Sequence, residues 1–172
     1  MRIGPLRPEH RSRLAELLVD TGAFHADEVE VALSLFDLAH RSGTGALDAP
    51  LDYEFLGAFG DDERLLGYAC FGPTPATDGT YDLYWLAVDP AVQGRGIGRA
   101  LVRDVETKLS ARGGRLLVVE TSSRPDYETT RQFYTRSGYT EAARVRDFYA
   151  PADDRILLTT RLTTRDGGVS TR

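Results

Sequence analysis

The chain has 172 residues, a length that fits one domain whose core is large enough to fold alone. Its apolar fraction of 41% and charged fraction of 27% are typical of a soluble globular protein. The net charge of −5 argues against nucleic acid or an anionic membrane as the main partner, and the single cysteine, Cys70, excludes an internal disulfide and favours a reducing cytoplasm.

The first third of the chain predicts one strand and two helices. Residues 2–6 are expected to form a short strand, and Pro8 then begins a helix with a stripe of leucines on one side. Residues 26–40 predict a second helix with apolar side chains at helical spacing. Residues 41–52 are rich in Gly, Ser and Pro and predict a flexible connection.

The rest of the chain predicts strands first and then strands alternating with helices. Strands are predicted at residues 53–59, 65–71, 81–88, 116–120, 139–148 and 156–162, and helices at residues 97–112 and 127–137. The order β-α-α-β-β-β-α-β-α-β-β predicts an α/β fold with a mixed sheet in one domain, residues 1–162. Residues 163–172 are polar and are expected to be a disordered tail.

The segment from residue 88 to residue 101 leads from a strand through a glycine-rich bend into a helix. Three glycines alternate with larger residues there: Gly94, Gly96 and Gly98. They allow a tight bend whose N–H groups approach a ligand, and the start of the helix adds unpaired N–H groups and a positive dipole end. With Arg95 and Arg99 beside it, the bend predicts a phosphate site. The alternative is a turn that uses glycine only for close packing.

The pattern Gln93-x-x-Gly96-x-Gly98, after a strand that ends in Val88-Asp89-Pro90, closely resembles the acetyl-coenzyme A signature of the GNAT superfamily of N-acyltransferases. The resemblance extends through residues 116–120 and the motif Phe133-Tyr134-x-x-x-Gly138-Tyr139. It implies the GNAT fold and a cytoplasmic enzyme that uses acetyl-coenzyme A as co-substrate. The implied reaction is direct attack of a primary amine on the thioester.

The resemblance also implies where the coenzyme binds. The strand at residues 81–88 would part from its neighbour, and the pantetheine arm would lie in the gap. The Leu86 N–H would polarise the acetyl carbonyl while Val88 bonds the arm; a continuous hydrogen-bond ladder is the alternative. The implied contacts are Leu86, Ala87, Val88, Gln93, Gly94, Arg95, Gly96, Ile97, Gly98, Arg99 and Tyr134.

Two carboxylates are candidates for the base that deprotonates the amine. Strand alternation predicts that Asp82, Tyr84, Leu86 and Val88 share one face of the sheet. Asp82 falls where some GNAT enzymes place a glutamate base. Glu120 ends an apolar strand at the carboxyl edge of the sheet, where burial would suit it to base chemistry. Tyr84 and bulk water are the other candidate bases. Alternatively, Asp82 and Glu120 have no catalytic role and each simply pairs with an arginine.

Tyr134 is the candidate general acid. Phe133 and Tyr134 are adjacent on a helix and point about 100° apart, so Phe133 is expected to fill the core while the Tyr134 hydroxyl turns elsewhere. In GNAT enzymes this tyrosine protonates the departing thiolate, and a phenol is protonated at neutral pH. A structural tyrosine bonded to the backbone is the alternative.

The sequence departs from the family pattern just before that pair. Tyr127 and Thr130 stand where many members carry Asn and Ala, so the asparagine's contact to the pantetheine arm falls to another residue. The three candidates for that contact are Thr121, Ser122 and Ser123.

The acceptor pocket is expected to be shaped by residues 21–52, 121–127 and 147–154. Acids and aromatic residues there, with Tyr84 and Tyr149 as candidate contacts, would suit a small cationic amine, an amino acid or a peptide N-terminus. The alternative function is a non-catalytic acyl-coenzyme A binding or sensor module. A purely structural domain is disfavoured by the glycine bend. The final strand offers an edge through which two copies could pair as a homodimer.

No metal or membrane is indicated by the sequence. The histidines have no ligand-like spacing: His10, His25 and His40. No signal peptide is expected, and no apolar run approaches the about 20 residues that a membrane span requires.

Overall fold

The computed structural model describes residues 1–40 and 53–162. The predicted flexible connection at 41–52 and the predicted disordered tail at 163–172 lie outside these residues. Within them, no helix has both the length and the apolar character to cross a membrane.

Every predicted strand and helix of the described part is present, with ends that shift by a few residues. The strands are β1 (Arg2–Pro5), β2 (Glu54–Phe59), β3 (Leu65–Pro73), β4 (Thr80–Val88), β5 (Leu116–Ser122), β6 (Thr140–Ala150) and β7 (Asp153–Arg161). The helices are α1 (Arg11–Asp20), α2 (Ala26–Ala39), α3 (Ile97–Ala111) and α4 (Glu128–Arg136). Short 3₁₀ turns precede α1, α3 and α4 at Pro8–His10, Pro90–Val92 and Pro125–Tyr127.

The strands form one seven-stranded sheet in the order β1-β2-β3-β4-β5-β7-β6. The β4–β5 pair is parallel and the other pairs are antiparallel, which confirms the predicted mixed sheet. The prediction that the final strand is an edge is wrong, because β7 lies between β5 and β6. The reason is burial: Ile156 and Leu158 of β7 are buried, whereas every residue of β6 is exposed.

Two helical layers pack on opposite faces of the sheet. One apolar cluster joins the buried face of α3, including Leu101 and Val105, to strand residues such as Ala58. A second cluster joins Leu17 of α1 and Phe36 of α2 to the alternate strand residues. The period of two along a strand sends neighbouring side chains into different layers. The sheet therefore has an α3/α4 face and an α1/α2 face.

A β-bulge interrupts the pairing of β3 with β4. Cys70 pairs with Trp85, but the next residue of β3, Phe71, pairs with Leu83. Tyr84 is therefore an extra residue on β4. An extra residue of this kind reverses the alternation of side chains on the two sides of the bulge.

Because of the bulge, the prediction that Asp82, Tyr84, Leu86 and Val88 share one face of the sheet is wrong. Leu83 before the bulge and Leu86 and Val88 after it all pack against the cluster on the α3/α4 face. Tyr84 packs instead against the cluster on the α1/α2 face, and Asp82 alternates with Leu83 to point the same way. The strand alternation of the sequence cannot reveal this reversal, because an inserted residue leaves no mark on the apolar pattern.

A buried carboxylate joins the end of β4 to two other parts of the fold. Asp89 is 5% exposed, and its Oδ1 accepts a hydrogen bond from the Ala91 N–H at 2.9 Å. Its Oδ2 accepts from Arg13 Nη2 of α1 at 2.5 Å and from Arg64 Nη2 at 3.1 Å. Asp89 therefore holds the turn before the glycine bend against α1 and against the β2–β3 connection.

We expect Asp89→Asn to lower the free energy of unfolding by about 2 kcal/mol, because it removes the buried anion that faces Arg13. Urea denaturation measures the change. Asp78→Asn is the control, since the Asp78 side chain is 99% exposed beside Arg115. Equal losses in the two variants would contradict the importance of the buried carboxylate.

Candidate active site

The ladder between β4 and β5 stops before either strand ends. It begins at Thr80 and Leu116 and finishes at Leu83 and Val119. Beyond that point β4 stays paired with β3 as far as Val88, and β5 stays paired with β7. The two strands therefore part, as the family resemblance implies, and the alternative of a continuous ladder is excluded.

A cavity of about 230 Å³ lies where the strands separate. It is lined by residues from both helical layers and from both parted strands. The lining residues are Thr21, Ala23, Phe24, Leu83, Tyr84, Trp85, Leu86, Ala87, Val88, Gln93, Val119, Glu120, Thr121, Tyr127, Thr130 and Tyr134. Glu120 carries the only charged side chain among these described lining residues, so the cavity combines aromatic, apolar and neutral polar side chains with one anionic group.

The glycine bend leaves the start of α3 open to a ligand. Gly94 and Gly96 have φ values of 76° and 82°, a left-handed conformation that favours glycine. A Cβ built on either residue would meet nothing within 4 Å, so the space beside the bend is open. Gly96 is the N-cap of α3 with no side-chain cap, and the first-turn amides have no partner inside the helix.

The side chains around the bend have different surroundings. Ile97 is 5% exposed and packs in the core, so only its backbone can meet a ligand. Arg95 and Arg99 are exposed. The Gln93 side chain donates from Nε2 to the Val88 carbonyl at 3.2 Å, and it thereby caps the free end of β4.

Tyr134 lies in the wall of the cavity and is 4% exposed. Its ring packs 5.0 Å from the Phe133 ring and 5.2 Å from the Tyr139 ring. Burial raises the pKa of the Tyr134 phenol well above its ordinary value. Both rings of the pair pack in the α3/α4 cluster: Tyr134 is the more buried of the two, and Phe133, which was expected to fill the core, packs partly exposed over Gly98.

Asp82 and Tyr84 lie on the α1/α2 face. The Asp82 carboxylate accepts a hydrogen bond from Thr74 Oγ1 at 2.6 Å, and Asp82 is not among the residues that line the cavity. Tyr84 does line the cavity, with its ring 5.1 Å from the Tyr53 ring. Burial, with a smaller contribution from Asp82, raises the pKa of Tyr84 to about 12. A phenol of that pKa stays protonated at neutral pH and makes a poor base.

Glu120 lies at the cavity but is not buried as expected. Its side chain is 41% exposed, because strand alternation places it opposite the buried Val119 and Thr121. Tyr149 donates its hydroxyl to Glu120 Oε1 at 2.5 Å, and Arg155 Nη2 pairs with Oε2. Burial, helped by the bond to Glu120, raises the pKa of Tyr149.

The three hydroxyls that follow in the chain have different partners. Ser122 Oγ donates to the Asp153 carboxylate, and Ser123 Oγ accepts from the Asp154 N–H at 2.7 Å. Thr121 is 5% exposed, and its buried Oγ1 has no hydrogen-bond partner within the described residues. Thr121 is therefore the one member of this trio whose hydroxyl remains available.

Sequence reasoning missed two residues of this region. Trp85 lines the cavity, and Arg155 pairs with Glu120 while its guanidinium lies 4.9 Å from the Phe148 ring. Arg155 directly follows the segment 147–154 that was expected to shape the acceptor pocket. An arginine at the start of an apolar strand was the available signal.

Comparison with known proteins gives the family. The family model of the acetyltransferase (GNAT) domain matches residues 52–141. A crystal structure of a candidate GNAT acetyltransferase from Desulfovibrio desulfuricans is 39% identical, with a TM-score of 0.83, and the match covers 94% of this chain and 99% of that chain. The chain belongs to the GNAT family of acetyltransferases.

Two curated relatives match this chain over part of their length. Mycothiol acetyltransferase of Beutenbergia cavernae is 33% identical over 129 residues, which are 75% of this chain and 41% of the relative. N-alpha-acetyltransferase RimI of Mycobacterium tuberculosis is 38% identical over 88 residues, 49% of this chain and 51% of the relative. This chain therefore matches less than two thirds of the length of either relative.

We expect Gly96→Ala to lower the free energy of unfolding by about 1–2 kcal/mol, because alanine is strained at positive φ. Since no atom lies within 4 Å of the added Cβ, the loss reports backbone strain alone. Gly98→Ala is the matched control: it is inside α3, and its Cβ would lie 3.5 Å from Phe133 in ordinary contact. A loss in urea denaturation as large for Gly98→Ala would contradict the assigned conformation.

Proposed function

We propose that the protein is an N-acetyltransferase that transfers the acetyl group of acetyl-coenzyme A to a primary amine. One observation carries the proposal: a single cavity, opened by the parting of β4 and β5, has Gln93 of the glycine-bend segment, Tyr134 and Glu120 in its wall. Proton donation and amine binding each have a residue there, and Gln93 leads into the bend that would bind phosphate.

The coenzyme would be held mainly by backbone. The amides of residues 94–99 would bind its diphosphate, with Arg95 and Arg99 adding positive charge. Leu86, Ala87 and Val88 would offer the arm a strand edge, since this part of β4 has no partner on the β5 side. The open space beside Gly94 and Gly96 fits this assignment. The thioester supplies an activated acetyl group.

Glu120 is the residue that we assign to the amine. As the charged side chain of the cavity wall, it would bind the acceptor as an ammonium ion and take its proton, directly or through a water molecule. The neutral nitrogen then attacks the carbonyl carbon and the C–N bond forms. Asp82 would need a longer water relay, because it is not among the residues that line the cavity and it bonds Thr74.

Tyr134 would complete the reaction at the sulfur. As the C–S bond breaks, the electron pair moves to sulfur, and the Tyr134 hydroxyl donates a proton to it. The attacking nitrogen loses its remaining extra proton, which restores the Tyr134 phenol, so that a free thiol and a neutral amide leave. Burial keeps the phenol protonated by raising its pKa. Direct transfer needs no covalent acyl-enzyme. Cys70 is buried with a raised pKa, which does not favour a nucleophilic thiol.

The acceptor end of the cavity favours an amine with an apolar body. Phe24, Tyr84 and Tyr127 place rings there beside the single carboxylate of Glu120. We infer that monocationic amines, including a peptide N-terminus, are better acceptors than polycations, which would find no further carboxylate among the described lining residues.

The test is release of free thiol from acetyl-coenzyme A with a panel of arylalkyl amines, short peptides, polyamines and aminoglycosides. We expect amine-dependent release, fastest with acceptors of one positive charge. A non-catalytic acyl-coenzyme A sensor would bind the coenzyme in calorimetry and release thiol with none of the amines.

Tyr134→Phe is expected to lower kcat at least tenfold and to leave the Kd for coenzyme A nearly unchanged, because it removes a proton donor and keeps the ring. In the wild type, the raised pKa predicts no loss of rate from phenol ionisation up to about pH 10, the ordinary tyrosine value. Steady-state kinetics across pH measure both effects.

Tyr81→Phe is the control, since Tyr81 packs against the α3/α4 cluster and does not line the cavity. Full turnover by Tyr134→Phe would remove the role assigned to its hydroxyl.

Glu120→Gln is expected to lower kcat/KM for the amine about tenfold or more, because the amide cannot accept a proton. Asp82→Asn should keep the wild-type value. The opposite pattern would transfer the base role to Asp82, and wild-type values in both variants would assign it to solvent. Glu141→Gln, at an exposed Glu–Arg pair on β6, controls for the change of surface charge.

A further inference from the structure

The buried hydroxyl of Thr121, a residue of the cavity wall, has no function in the reaction proposed above. Thr121 is on β5, two residues past the last residue that pairs with β4. It is 5% exposed, and its Oγ1 has no hydrogen-bond partner within the described residues. An unsatisfied buried hydroxyl destabilises a protein, so its presence calls for a ligand or a water molecule.

The neighbouring serine hydroxyls do have partners, so the unsatisfied hydroxyl is particular to Thr121 among these described residues. Ser122 and Ser123 are both engaged with the β7 residues Asp153 and Asp154. Thr121 instead has its side chain at the cavity wall.

The position of Thr121 relates it to the thioester end of the proposed coenzyme site. Strand alternation places it on the side of Val119, which packs in the same cluster as Tyr134. The β4–β5 pairing joins Leu83 to Val119, and because Tyr84 is an extra residue on β4, continuing that register would place Thr121 level with Leu86. Thr121 and Tyr134 line the same cavity from the same side of the sheet.

We propose that the Thr121 hydroxyl donates a hydrogen bond to the thioester carbonyl oxygen of bound acetyl-coenzyme A. The inference rests on the proposed function. A threonine hydroxyl has one hydrogen to donate, and no acceptor in the described part of the chain competes for it. The oxygen gains negative charge as the amine attacks, so a fixed donor stabilises the transition state more than the ground state.

Thr121→Val tests this, because valine keeps the shape of the side chain and removes only the hydroxyl. We expect kcat to fall about tenfold or more and the Kd for acetyl-coenzyme A to rise about threefold. The Kd for free coenzyme A, which has no acetyl group, should be unchanged. The unfolding midpoint of the ligand-free variant should stay the same or rise, since a buried unsatisfied group is lost.

Thr121→Ser should restore kcat, and Thr140→Val on the exposed strand β6 should match the wild type in every measurement. A lower unfolding midpoint for Thr121→Val with equal affinities for both ligands would overturn the proposal in favour of a structural role. Equal weakening of both ligands would also overturn it, because the contact would then be to the arm.

Measurements on the wild-type protein distinguish a failure of this inference from a failure of the proposed function. If the wild-type protein binds neither ligand in calorimetry and releases no thiol with any amine, the proposed function fails. If it binds and turns over while Thr121→Val is indistinguishable from it, only the assignment of Thr121 fails.

Discussion

The parting of β4 from β5 after Leu83 and Val119 is the constraint on which the site depends. Each strand keeps its partner on the other side, so the sheet remains whole around the opening. A ladder that continued would satisfy the backbone of residues 84–88 and leave no space for a ligand. Because it stops, a strand edge becomes available in the middle of a sheet, and both helical layers reach it.

Two local structural features, a β-bulge and a buried carboxylate, support this opening. The bulge at Tyr84 reverses the alternation of β4, so that Leu86 and Val88 pack on the α3/α4 face while Tyr84 faces α1 and α2. Beyond the strand, the buried carboxylate of Asp89 accepts hydrogen bonds from Arg13 and from its own turn. Asp89 lies between the parted end of β4 and the glycine bend, so its hydrogen bonds hold both in place.

The local sequence pattern identifies some residues of the candidate site and does not identify others. The glycine bend follows from the need for positive φ at Gly94 and Gly96, and Tyr134 follows from its place in a motif. Asp82 and Glu120 were weighed as equals in the sequence, yet they differ in the structure. Glu120 reaches the cavity, exposed and paired with Arg155, while Asp82 lies outside the cavity wall and bonds Thr74. Nothing in the apolar alternation carries that information.

By itself, the sequence determined the order and type of the elements, the position of the glycine bend and the resemblance to the GNAT family, because these depend on spacing within short segments. Only the tertiary structure decided that β7 lies inside the sheet, that Tyr134 is buried and that the Thr121 hydroxyl has no partner within the described residues. These properties depend on which distant strands and helices cover a residue. Covering elements are selected by the packing of the whole chain, so no local pattern encodes them.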